Sequence, residues 1–70
     1  MDLLSRLGQN IKRRRKALGY SQEELAERAD LHRTYIGGVE RGERNITIKS
    51  LSQIAEGLNT KVHVLLEEDS

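Results

Sequence analysis

The sequence predicts a small all-α domain, a compact bundle of helices, on three observations. Apolar residues recur at spacings of three, four and seven along the chain, the period of an amphipathic helix. Proline, phenylalanine and tryptophan are absent, which leaves a core of Leu, Ile, Val and Ala typical of small helical bundles. Glycines and capping residues also stand where the apolar stripes begin and end. With 70 residues, 36% hydrophobic and 33% charged, the chain is expected to hold one soluble domain, spanning 1–70, near the lower limit for independent folding.

The first helix carries Leu3, Leu4, Leu7, Ile11 and Leu18 on its stripe and is expected to stop at Gly19. Ser21 followed by Glu24 is a capping box, in which side chains satisfy the free amides of a helix start; it opens a short second helix at about 22–29. Asp30 and Leu31 leave so brief a turn that the next helix, from His32 or Arg33 to Arg41, must cross the second steeply before Gly42 caps it. After the polar loop Gly42-Glu43-Arg44-Asn45, Thr47 is the expected N-cap of a fourth helix with Ile48, Leu51, Ile54, Ala55 and Leu58 on one stripe. Asn59 or Thr60 ends it. The piece from Lys61 to about Glu67 is too apolar for a free tail, and its β-branched residues leave a fifth helix and a strand both open.

Composition excludes several classes of function. No apolar run approaches the ~18 residues of a membrane span, and the first residues lack the basic-then-apolar order of a secretory signal, so a cytoplasmic protein without membrane contact is expected. Without cysteine there are no disulfides or thiolate sites. His32 and His63 alone make a poor metal centre, and Asp30 beside His32 reads as a turn and cap rather than an acid/base pair. No enzyme activity, metal or cofactor is expected. Net charge is only +1, yet bases gather within 12–16 and 41–49 while Glu67, Glu68 and Asp69 collect acidity at the far end.

The stretch SQEELAERADLHRTYIGGVERG, residues 21–42, carries the most information. Ala26 supplies the small residue where two short helices cross, and Leu25, Ala29, Leu31, Ile36 and Val39 supply the inward positions, the spacing of a helix-turn-helix. Here the chain resembles the Cro and phage-repressor type of helix-turn-helix proteins, the XRE family. The likeness runs from Leu7-Gly8 and Ile11 through Gly19-Tyr20-Ser21-Gln22-Glu23-Glu24-Leu25-Ala26, Tyr35-Ile36 and Val39-Glu40-Arg41-Gly42 to Leu51, Ile54-Ala55 and Leu58. His32-Arg33-Thr34-Tyr35-Ile36, Glu40-Arg41-Gly42 and Arg44-Asn45-Ile46-Thr47-Ile48 are similar to the controller proteins of restriction-modification systems.

The resemblance implies a five-helix, lambda-repressor-like domain whose third helix lies in the major groove of DNA. With Ile36 and Val39 facing the core, Arg33, Thr34, Gly37 and Gly38 are expected to project the other way, Arg33 toward guanine O6 and N7 and Thr34 toward a neighbouring base. Glycines inside a helix each cost about 1 kcal/mol relative to alanine; close approach to DNA is one return for that, and a merely tolerated weakness is the other reading. By similarity, Gln22 at the start of the second helix and Arg41, Arg44, Asn45 and Lys49 near the following loop are expected on phosphates. Tyr35 borders the core and either joins them or packs.

Five consecutive bases at 12–16 are spread around a helix and cannot share one task. The resemblance pairs Arg15 with Glu40 as a structural ion pair. Arg14 departs from the leucine common in relatives and is expected to lay its stem over the core. Asp30 stands where such units often have a glycine at positive φ, a conformation that aspartate tolerates.

The expected function is that of a sequence-specific double-stranded DNA-binding transcriptional regulator. It would act as a homodimer on a pseudo-palindromic operator, with RNA polymerase a further partner if the controller likeness holds. Val62, Val64, Leu65 and Leu66, with an exposed face of the fourth helix, are the expected dimer surface. The rival is an antitoxin or protein-interaction module that keeps the fold with another protein as main partner.

Overall fold

The computed structural model describes residues 2–67. Glu68 and Asp69 of the acidic end lie outside them. Among the described residues there are five helices and no strand: α1 (Leu3–Ala17), α2 (Gln22–Ala29), α3 (Arg33–Glu40), α4 (Ile48–Gly57) and α5 (Val62–Leu66). The chain from Lys61 onward is thus helical, which resolves the choice that its β-branched residues left open.

Local chemistry sets the limits of each element. Asp2 caps α1 by accepting the Ser5 amide at 2.8 Å, and this bond holds the Asp2 carboxyl below its ordinary pKa. Gly19, at φ +78°, turns the chain out of α1 while the Tyr20 amide reaches back to the Arg15 carbonyl at 3.0 Å. Both arms of the capping box at α2 are formed: the Glu24 amide donates to Ser21 Oγ at 3.0 Å and the Ser21 amide to Glu24 Oε1 at 2.9 Å. Asp30 closes α2 in the left-handed conformation, φ 59° and ψ 45°. Gly42, at φ +74°, ends α3, and Thr47 caps α4 through the Ser50 amide at 3.0 Å.

The core joins Leu7 and Ile11 of α1, Leu25, Ala26 and Ala29 of α2, Ile36 and Val39 of α3, Leu51, Ile54 and Ala55 of α4, Leu58, and Leu65 of α5. α2 packs on α3 and α4, and α1 on α3 and α5. Close approach needs small residues at two crossings. A Cβ on Gly8 would collide with the carbonyls of Val39 and Glu40, and one on Gly57 would stand 3.2 Å from the Ala29 nitrogen.

Four expectations are corrected. Leu3 (61% exposed), Leu18 (41%) and Ile48 (76%) lie on their predicted stripes but outside the core. They occupy the first turn or the cap of their helices. Leu65 is the fourth: assigned to a dimer surface, it is 1% exposed and completes the protomer's own core. Asn10 holds it there, its Nδ2 donating to the carbonyls of Leu65 at 3.0 Å and Glu67 at 2.9 Å.

Candidate nucleic-acid interface

The α2-turn-α3 unit is anchored from within by a buried charge pair. Glu40, 6% exposed, accepts from Arg15 Nε at 2.7 Å and Nη2 at 3.0 Å, and Arg15 Nη1 donates to the Tyr20 carbonyl at 2.8 Å. A third donor, absent from the sequence reading, is Gln22 Nε2, 3.0 Å from Glu40 Oε1. One carboxylate therefore gathers the end of α1, the loop before α2, the first residue of α2 and the last residue of α3. Every guanidinium nitrogen of Arg15 and both carboxylate oxygens of Glu40 have a partner, the condition under which a buried pair is tolerated.

Across this anchor, α3 turns its inner side, Ile36 and Val39, into the core and leaves Arg33 and Thr34 exposed on its first turn. A shallow cleft runs between α3 and the start of α2, lined by Ser21, Gln22, Glu23, Arg33, Thr34, Gly37 and Arg41. On its rim Arg33 Nη1 lies 3.7 Å from Glu23 Oε2, with both side chains more than two-thirds exposed, so water screens the pair and leaves Arg33 free to move.

Gly37 and Gly38, expected on the outward side of α3, are buried. They do lie away from the core, but polar arms fold back over them: Gln22 and the tip of Arg41 over Gly37, the stem of Arg44 over Gly38. Tyr35 is half-buried against the core, and the Arg44 guanidinium stands 5.9 Å from its ring centroid. Gln22 is drawn inward by Glu40. Arg41 pairs at the surface with Glu43 at 3.0 Å, and Asn45 and Lys49 are exposed beside the loop and the first turn of α4. Of the expected base-reading and phosphate-binding residues, Gln22, Arg33, Thr34, Gly37 and Arg41 thus line one cleft, and Arg44 lies over Gly38 on the next position of α3.

Elsewhere, Arg14 is half-buried with its Nε enclosed, and Arg28 stacks 4.2 Å from the Tyr20 ring centroid, a contact between α2 and the preceding loop that no sequence signal marked. Of the expected dimer residues, Val62 and Val64 are half-buried and Leu66 is 43% exposed. Among the described residues no helix is long and apolar enough to cross a membrane, and no group of three His, Asp or Glu could hold a metal ion.

Comparison with known proteins agrees with this geometry. The family model described as helix-turn-helix, HTH_3, matches residues 11–65. The control protein C.SmaI of Serratia marcescens is 50% identical over 66 residues, 94% of this chain and 79% of that protein. The HTH-type transcriptional regulator SinR of Bacillus subtilis is 41% identical over 63 residues, 89% of this chain but only 57% of its own length. Among solved structures, the restriction-modification controller protein C.AhdI of Aeromonas hydrophila superposes with a TM-score of 0.87 at 40% identity, over 89% of this chain and 94% of that one. The controller protein C.Esp1396I, crystallised as a tetramer on its natural 35 base-pair operator, superposes at 0.86 and 46% identity, over 93% of this chain and 86% of that one.

Proposed function

The chain belongs to the helix-turn-helix family of XRE type, and from that premise we propose that it is a double-stranded DNA-binding transcriptional regulator of the restriction-modification controller kind. The observation that carries the reading is the position of Arg33 and Thr34. Both are exposed on the first turn of α3, while the rest of that helix is fastened to the core and to the Arg15–Glu40 pair. A helix held so firmly can enter a major groove without being reordered, and its first-turn side chains meet base edges first.

In this reading Arg33 bonds to a guanine through O6 and N7, and Thr34 offers a hydroxyl or methyl to the next base. Arg41, Arg44, Asn45 and Lys49 ring the helix on phosphates and supply affinity that carries little sequence information. Tyr35 and Gln22 border the same surface. The regulator works as a homodimer whose two α3 helices read half-sites centred about 34 Å apart, or a multiple of that. Val62, Val64, Leu66 and an exposed face of α4 form the contact, with Leu65 reserved for the core. Bound over a promoter it excludes polymerase; bound upstream it touches RNA polymerase and activates. Nothing in this mechanism calls for catalysis, a metal or a small-molecule effector, and dimerisation makes occupancy depend steeply on concentration.

The test is selection of bound duplexes from a random DNA library at near-physiological salt. An enriched two-fold symmetric motif supports the reading. No enrichment by folded protein overturns it in favour of a module whose main partner is another protein.

A further inference from the structure

The two glycines in the interior of α3 are not required by its backbone: the glycines at positive φ are Gly19 and Gly42, both in turns. What lies over each glycine differs. A Cβ at Gly37 would meet the tip of Arg41, Nη1 at 3.2 Å, and Gln22 at 3.6 and 3.8 Å, contacts that a small shift of a flexible end would relieve. A Cβ at Gly38 would fall within 2.7 Å of Arg44 Cγ, with Nε at 3.1 Å and Cδ at 3.5 Å, so it would occupy the place of the arm's stem. From the loop after α3, Arg44 thus reaches back along the helix and carries its guanidinium to the Tyr35 ring.

We infer that Gly38 is a positioning residue for DNA binding: its missing side chain is the seat that lays Arg44 along α3. The inference deepens the proposed function and rests on it. An arginine on a polar loop normally sweeps a wide volume, and fixing it on a phosphate forfeits that freedom. Lying over Gly38 with its guanidinium toward Tyr35, the exposed Arg44 is held to part of that volume before DNA arrives. The seat also keeps a positive charge over α3 near the Tyr35 ring, where a free arm would stand only part of the time. This gives the helix-weakening glycine a return that does not require DNA to touch it.

The test is a double-mutant cycle of Gly38→Ala and Arg44→Ala on the duplex enriched by the selection above, alongside thermal melts and relaxation of the Arg44 side-chain Nε in the free protein. Gly38→Ala is expected to melt no lower than wild type, to loosen the Arg44 Nε, and to weaken DNA binding by about two- to tenfold, the penalty for ordering one long side chain on binding. In the Arg44→Ala background the same alanine should change affinity less than twofold. Equal losses in both backgrounds would mean that the methyl obstructs the DNA itself and would overturn the inference. Unchanged Arg44 motion in Gly38→Ala would overturn it as well. If Gly38→Ala melts far lower, rescue by Arg44→Ala upholds the seat and failure of rescue refutes it. Should no duplex be enriched, the relaxation measurement still decides whether the seat exists.

Discussion

Replacing Glu40 with alanine should be the most damaging single change near the interface, although it removes no expected DNA contact. The carboxylate is 6% exposed and accepts three bonds of 2.7, 3.0 and 3.0 Å, and its loss leaves the Arg15 guanidinium, itself 7% exposed, as a buried cation with only the Tyr20 carbonyl. Breaking a buried pair from one side costs about 3 to 5 kcal/mol. A domain of 70 residues has roughly 4 to 10 kcal/mol in total, so the variant should be marginally folded, with a midpoint lowered by more than about 12 °C. Urea denaturation followed by circular dichroism measures the loss. Replacing both partners with apolar residues of similar volume, Arg15→Met with Glu40→Leu, should recover most of it, because no charge is then stranded. A loss below about 1 kcal/mol for Glu40→Ala, the worth of an exposed pair, would refute the reasoning. So would a double variant no more stable than the single one.

Arg33→Ala should relax specificity at one base position by about 1 to 3 kcal/mol, whereas Lys49→Ala should weaken all duplexes alike and lower the salt slope by about one unit; competition binding across single-base variants at several salt concentrations separates the two. Asp30→Gly should raise the unfolding free energy by about 0.5 to 1 kcal/mol, and the urea midpoint with it, since glycine adopts the observed φ of 59° without a Cβ penalty; a lower midpoint would show that the aspartate itself does something there. Asp2 has a folded pKa below its unfolded value of about 3.9, so its contribution is present above that pH and lost as the pH falls through the folded value. The gap in melting temperature between wild type and Asp2→Asn should therefore be open at neutral pH and closed once acid protonates Asp2 in both folded and unfolded chains.

Much of the fold was legible because its signals are local. Ser21 with Glu24 marks the start of α2, Asp30 marks its end, and Gly19, Gly42 and Thr47 punctuate the rest; each acts through its own backbone or a residue three positions away. Where the reading failed, the deciding contact was distant. Periodicity named the face on which Ile48 and Leu3 lie but not whether a neighbour reaches that far along the helix. It counted Leu65 among four apolar residues without saying which one turns inward. The bond from Gln22 to Glu40 spans 18 positions and depends on how α2 crosses α3. Gly37 and Gly38 were placed on the outward side from helix geometry, and only the path of the chain after α3 brings Arg41 and Arg44 back over them.

The grip of Asn10 on the carbonyls of Leu65 and Glu67 bears on when the protein becomes competent during synthesis. The α2-turn-α3 unit is translated early, yet one wall of the core waits for Leu65, and the side chain that clasps α5 has been waiting since the first helix left the ribosome. Each molecule therefore gains its full fold only after residues 62–67 have emerged, a delay of a few seconds at about 5 to 20 residues per second. For a regulator of the proposed kind, with occupancy set by dimerisation, the count begins at that closure and not at the appearance of α3.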